Sequence, residues 1–176
     1  MAPVEPGEAW FEGVFRQHYG RIVAMLARLT GDRTQAEEIA GDVFSKLSRQ
    51  PGLLRGCDDL TAWIYRVATN AGLDAIRANA RRRRKEEAAC VERMRTAENH
   101  NALDGLLREE RRAGVREVLG ALKPRDAQLL MLRAEGLTYR EVAETLGIQP
   151  GSVGTLLARA EAEFERRFRA RCGGRV

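Results

Sequence analysis

The stretch TYREVAETLGIQPGSVGTLLARAEAEF, from Thr138 to Phe164, leaves the chain few ways to fold. Val142, Ala143 and Leu146 fall on one face of a first helix. Val153, Leu157, Ala160 and Phe164 follow at steps of four, three and four, the spacing that keeps apolar groups on one stripe of a second helix. Thr138 and Glu141 have the spacing of a capping box. Gly147 suits the left-handed residue that stops a helix, and Ile148 plugs the turn. Pro150 opens the next helix, where its missing N–H would have no partner in any case. The pattern predicts a helix-turn-helix, with an ordinary helical hairpin as the alternative.

The other face of the second helix carries Gly151, Thr155, Ala158, Arg159 and Ala162, with Ser152 beside them in the first turn. A helix N-terminus offers free N–H groups to phosphate, and Gly151 and Gly154 let backbone come close. Only Arg159 has the fork that reads guanine. The surface is suited to docking on a duplex but offers few base readers.

The rest of the chain has the same helical periodicity and no convincing alternating strand pattern. Phe11, Phe15, Ile22, Met25, Leu26 and Leu29 predict a helix over 8–29, broken at Thr30-Gly31-Asp32. Thr34 and Glu37 read as a capping box for a second helix, carrying Ile39, Val43, Phe44 and Leu47 and ended by Pro51-Gly52. Asp59 can cap a third helix, with Leu60, Ile64, Val67, Ala71 and Ile76 inward, that runs out into Arg81-Arg82-Arg83-Arg84-Lys85. Residues 86–101 are polar and weakly periodic, and read as a linker. Leu103, Leu106, Leu107, Val115, Val118, Leu119 and Leu122 then support another helix, and Pro124 starts the one after it. The expected fold is all-α: an N-terminal helical domain over 8–85, a linker over 86–101, and a C-terminal domain over 102–170 that contains the helix-turn-helix.

The third helix combines Arg66, Asn70, Arg77 and the run beginning at Arg81 with the aromatic groups of Trp63 and Tyr65. A basic track with stacking platforms suits unstacked single-stranded bases; an amphipathic core helix with a solvated end is the plainer alternative. The second helix carries Glu37, Glu38 and Asp42 on a chain whose net charge is +5. Carboxylates near a helix start favour its dipole. Asp42 lies too far along for that, and a basic protein partner would explain it.

The positive charge favours a polyanionic partner. Cys57, Cys90 and Cys172 stand far apart, and with His18 and His100 they complete no zinc pattern; sparse thiols of this kind suit a reducing compartment. No signal peptide or apolar run of membrane-spanning length is present. These features predict a cytoplasmic, non-membrane protein with no cofactor and no metal. No Ser/His/Asp or Cys/His set and no glycine-rich phosphate loop points to an enzyme.

Taken in order, these segments resemble the extracytoplasmic-function (ECF) class of bacterial RNA polymerase sigma factors, over about Phe11 to Phe168. GDRTQAEEIAGDVFSKL is similar to the family's helix that docks on the polymerase clamp. LTAWIYRVATNAGLDAIRANARRRR resembles its promoter-melting, −10-reading helix. LKPRDAQLLMLRAEGLTYREVAETLGIQPGSVGTLLARA is similar to its −35-reading domain. The resemblance implies a dissociable subunit whose partners are core RNA polymerase, promoter DNA and, in many members, an anti-sigma factor. It implies polymerase contacts at Glu38, Asp42 and Phe44, −10 contacts at Trp63, Arg66, Asn70, Arg77 and Arg81, and −35 contacts at Arg140, Ser152, Thr155 and Arg159. The loop from Gly52 to Asp59 takes the place of the base-capturing loop.

The chain departs from the family twice. Gly41 and Asp42 stand where a Gln-Glu pair is common. Val153, Gly154, Thr155, Leu156 and Leu157 replace a common Val-Lys-Ser-Arg-Leu, so two cations are lost. A stand-alone helix-turn-helix regulator, and a sigma-like interaction protein that barely binds DNA, are the competing expectations.

Overall fold

A computed structural model describes residues 6–49, 60–90 and 103–172. Among them are seven helices: α1 (Pro6–Thr30), α2 (Arg33–Arg49), α3 (Leu60–Cys90), α4 (Leu103–Ala121), α5 (Pro124–Ala134), α6 (Tyr139–Leu146) and α7 (Pro150–Cys172). The expected Asp59 cap, the Gly52–Asp59 loop and positions 91–101 of the expected linker lie outside the described residues. Helix α3 continues through 86–90, into the segment read as linker.

Helices α1 and α2 form a hairpin around Thr30-Gly31-Asp32. Gly31 has φ 75°, a conformation that costs a residue with a Cβ far more than glycine. The start of α2 is capped differently from expectation. Asp32 Oδ1 accepts the N–H groups of Thr34 (2.8 Å) and Gln35 (3.3 Å), so Asp32 is the capping residue. Glu37 turns instead to Arg33, at 2.9 Å. Gly72 lets α3 close on α1: a Cβ there would lie 3.0 Å from Leu26 Cδ2 and 3.2 Å from Leu29 Cδ1.

The inward face of α3 is wider than its sequence suggests. Ala62, Ile64, Tyr65, Ala68, Thr69, Gly72, Leu73 and Ile76 are buried, while Leu60, Val67 and Ala71 are half-buried. The cause is packing on two sides. Helix α3 lies against α1 and α2, and also against α4, α5 and α6. One apolar cluster therefore runs through both helical sets, from Ile22, Leu26 and Phe44 to Leu129, Leu132 and Val142. Burying each such side chain contributes about 1.5–3 kcal/mol before entropy is counted.

Two polar groups show the cost of that burial. Thr69 donates its hydroxyl to the Tyr65 carbonyl at 2.8 Å and is satisfied. Tyr65 is 2% exposed, and its hydroxyl has no hydrogen-bond partner among the described residues. Burial raises its pKa; Arg21 opposes the rise, and Glu135 and Glu141 add to it. Tyr65 is thus a core residue, and the expectation that it offers an aromatic surface beside Arg66 is corrected.

Candidate nucleic-acid interface

The helix-turn-helix forms as its spacing dictates. Thr138 Oγ1 accepts the Glu141 N–H at 3.3 Å, and Glu141 Oε2 accepts the Thr138 N–H at 2.6 Å, completing the capping box. The hydrogen bonds from the Thr138 hydroxyl and then its N–H hold the Glu141 carboxyl below its usual range. Gly147 ends α6 with φ 63°, and the Ile148 N–H donates to the Ala143 carbonyl at 3.0 Å. Val142, Ala143, Val153, Leu157 and Ala160 are buried between α6 and α7, and Leu146 and Phe164 are half-buried beside them.

The opposite face of α7 is open. Gly151, Ser152, Thr155, Ala158, Arg159 and Ala162 are all exposed. Ser152, Thr155 and Arg159 line a polar cleft over the N-terminus of α7, together with Gln149 and Arg125. Arg125 was not among the expected site residues. Its signal was nonetheless in the sequence: Pro124 fixes the start of α5, which puts Arg125 in an exposed first turn. Arg140, the remaining −35 candidate, is exposed and bonded at 3.0 Å to Glu144 one turn along α6.

Gly154 is not enforced by crowding, since a Cβ there would meet only Tyr139 Cε2, at 3.5 Å. Tyr139 is 46% exposed, and the Arg133 guanidinium lies over its ring, 5.1 Å from the centroid. The edge of the Tyr139 ring therefore stands beside Gly154.

Helix α3 presents a second surface. Arg66 is exposed, as is the run from Arg81 to Lys85, and Trp63 is half-buried. The other two candidates on this helix are engaged. Asn70 Oδ1 accepts the Gln128 Nε2–H at 2.7 Å. Arg77 donates from Nε to the Gly120 carbonyl and from Nη2 to the Leu122 carbonyl, both at 3.1 Å. The structure thus brings Arg66 and Arg81 to solvent, leaves Asn70 exposed while bonded to Gln128, and ties half-buried Arg77 to the end of α4. Those partners lie 58, 43 and 45 residues away in sequence, so no local pattern could have signalled them.

On α2 the acidic face is exposed at Glu37, Glu38 and Asp42, and Gly41 between them faces open space. Phe44 does not belong to that face. It is 2% exposed and meets Phe15 and Tyr19 edge-on, with centroids 5.2 and 5.6 Å apart. It orders the α1–α2 hairpin, and the expectation of a direct contact through Phe44 is set aside.

No group of three or more His, Cys, Asp or Glu side chains arranged to hold a metal occurs among the described residues. No described helix is long and apolar enough to cross a membrane.

The two surfaces fall in segments that known proteins share. Residues 14–82 match the family model for Sigma-70 region 2, and residues 112–164 match the model for Sigma-70, region 4. The chain belongs to the sigma-70 family of RNA polymerase sigma factors, which act in transcription initiation. Its relatives place it within that family. The ECF RNA polymerase sigma factor SigE of Mycolicibacterium smegmatis is 29% identical over 162 residues, covering 89% of this chain and 60% of SigE. The RNA polymerase sigma factor YlaC of Bacillus subtilis is 28% identical over 156 residues, covering 88% of this chain and 90% of YlaC. This chain is an ECF-class sigma factor.

The fold agrees. The sigma factor RpoE, in its complex with the anti-sigma factor NepR from Bartonella quintana, superposes with a TM-score of 0.55 at 18% identity, covering 90% of this chain and 96% of that one. CnrH, in complex with the cytosolic domain of CnrY, gives 0.58 at 22% identity, covering 91% and 88%.

Proposed function

We propose that this chain is the promoter-recognition subunit of a bacterial RNA polymerase, a binding protein with no catalytic role of its own. Glu38 and Asp42 on the exposed face of α2 meet basic groups of core polymerase. Trp63, Arg66, Asn70, Arg77 and Arg81 on α3 meet the −10 element as its strands part. Arg140, Ser152, Thr155 and Arg159 meet the −35 element, with Arg125 added at a backbone phosphate. The units that do this are 8–85 and 102–170, joined through 86–101, and the protein works in the cytoplasm. The similar RpoE structure holds the anti-sigma factor NepR, and an anti-sigma factor is the regulator expected here.

The observation that carries this reading is the coexistence of two different nucleic-acid surfaces in one chain. The α3 surface is a basic helix with an aromatic neighbour, suited to separated bases. The α7 surface is a helix-turn-helix whose exposed helix start suits duplex phosphate. A stand-alone duplex regulator has no use for the first. The test is reconstitution with purified core polymerase, followed by mapping of transcripts on fragmented genomic DNA. The expected result is a stable complex at low salt and discrete start sites that core polymerase alone does not produce. Failure to bind core polymerase at low salt would remove the proposal.

A second reading has one observation in its favour. Over its first three turns the exposed face of α7 carries a single forked cation, Arg159. If transcription from mapped promoters is indifferent to the −35 sequence, this chain works chiefly through polymerase and the −10 element.

A further inference from the structure

We propose that a groove apart from both nucleic-acid surfaces binds a free long-chain carboxylate, one ligand per chain. The proposal does not depend on the sigma-factor reading. None of the residues that line the groove is among the proposed polymerase or DNA contacts.

The groove has a volume of about 860 Å³, within the range of small-ligand pockets, roughly 300–1,000 Å³. An α-helix about 10 Å across would fill it in about two turns, so its scale is that of a small molecule. Four helices supply the walls. Met25 and Leu29 come from α1, Val115 and Leu119 from α4, Met131 from α5 and Phe164 from α7. Met25, Leu29, Leu119 and Met131 are buried, and Val115 and Phe164 are half-buried. Methionine adapts to irregular apolar shapes, so two methionines in the lining suit a flexible hydrocarbon tail.

The edge of the groove selects the sign of the ligand. It carries Arg28, Arg111, Arg112 and Arg116 against Glu109 and Glu135. Both carboxylates are already engaged: Glu135 by Arg28, and Glu109 by Arg116 at 2.5 Å. Arg112 reaches Glu109 only at 3.9 Å, and Arg111 has no ion-pair partner among the described residues. Both side chains are exposed. An apolar groove with two loosely engaged cations at its edge complements a molecule with a long apolar tail and one anionic end. The paired N–H groups of arginine match a carboxylate in particular.

The test is isothermal titration of the full chain with octanoate, decanoate and laurate, each below its micelle-forming concentration. We expect one site, with a dissociation constant for laurate on the order of 10 μM. Affinity should rise about fourfold per added methylene, the effect of burying one CH₂. Decyltrimethylammonium has the decyl tail with the opposite charge, and should bind about tenfold more weakly than decanoate. Arg111→Ala with Arg112→Ala should weaken laurate about fivefold, the effect of two exposed charges, and leave the dependence on tail length unchanged. Val115→Trp adds bulk from the wall of the groove, and Ala134→Trp adds it from an exposed lining position. At unchanged helicity each should weaken laurate about tenfold or more, as crowding of a filled site does. Affinity independent of tail length would overturn the apolar site. Equal binding of decyltrimethylammonium would overturn the selection for an anion. Several laurates per chain, bound alike by the wild type and both Trp variants, would mean adsorption to a basic surface and overturn the groove as the site. If Val115→Trp loses helicity, Ala134→Trp and the tail-length series decide.

Discussion

Helices α3 and α7 both present cations to solvent, but they are built on opposite plans. Helix α7 is anchored on one side only, by Val153, Leu157 and Ala160, and its other face is wholly open. That face is chemically sparse, with Ser152, Thr155 and Arg159 as its polar readers. Helix α3 is chemically rich and partly covered. It is packed on two sides, and Asn70 and Arg77 already have protein partners. Access and chemistry are thus traded differently along one chain. The open helix offers backbone N–H groups at its start, which suit phosphate; the rich helix spends part of its polar chemistry on contacts within the protein.

The largest expected effect comes from α3. Arg66→Ala with Arg81→Ala removes two exposed cations, and we expect open-complex formation to fall about a hundredfold, since contacts of this kind contribute about 1–3 kcal/mol each. Permanganate reactivity of the −10 region is the measurement, and a value near wild type would dissolve the contrast between the helices. Arg159→Ala should reduce transcription about tenfold, the effect of losing one bidentate contact of about 1–3 kcal/mol. The reduction should vanish on templates whose −35 element is scrambled. An equal loss on both templates would move Arg159 off the −35 element.

Gly154→Lys tests the sparseness of α7 directly. A Cβ at Gly154 meets only the Tyr139 ring edge, at an ordinary contact distance, so the variant should fold normally and gain one phosphate contact. Promoter binding by the holoenzyme should tighten, and the slope of log K against log salt should steepen by about 1. An unchanged slope would show that this part of α7 does not approach the DNA backbone.

How much of this was legible in the sequence depends on range. Thr138 with Glu141, Gly147 and Pro150 act on neighbours within a turn, so cap, stop and start were readable from the letters. Asp32 was missed as the α2 cap because Thr34 and Glu37 offered the same local pattern two residues later. Tyr65 was missed for a physical reason: a helix buried on one side shows one stripe, and α3 is buried on two. The polymerase contact at Phe44 came from the family resemblance, whereas periodicity had already set Phe44 with the apolar Ile39, Val43 and Leu47, which is where the structure puts it. The partners of Asn70 and Arg77 lie on other helices and leave no local mark.

Smaller effects sharpen the same contrast. Tyr65→Phe deletes a buried hydroxyl with no partner among the described residues, and an unmet group of that kind costs about 1–3 kcal/mol. Chemical denaturation should show the variant as stable as wild type or more so; a clear loss would mean that the hydroxyl has a partner. Glu163 lies just past the middle of α7, where its bonds to Arg166 and then Arg167 hold its carboxyl down to about 2. Its folded value lies below its unfolded one, so its contribution is present above about 4.5 and fades as pH falls toward 2. The melting temperatures of Glu163→Gln and wild type should differ slightly near neutrality and converge in acid. The effect is small because exposed ion pairs contribute little. A difference that persists at pH 2 would assign it to packing.

The apolar cluster that joins the two helical sets has a thermal consequence. Contacts held by water's exclusion from apolar surface weaken on cooling, whereas hydrogen bonds of the Arg77 kind do not share that sign. Cold should therefore loosen the seam between the sets before it loosens the helices themselves. Scattering near 5 °C should find a longer molecule than scattering near 30 °C, at unchanged helicity. The spacing of the two helical sets would then follow the temperature of the surrounding water, with no ligand involved.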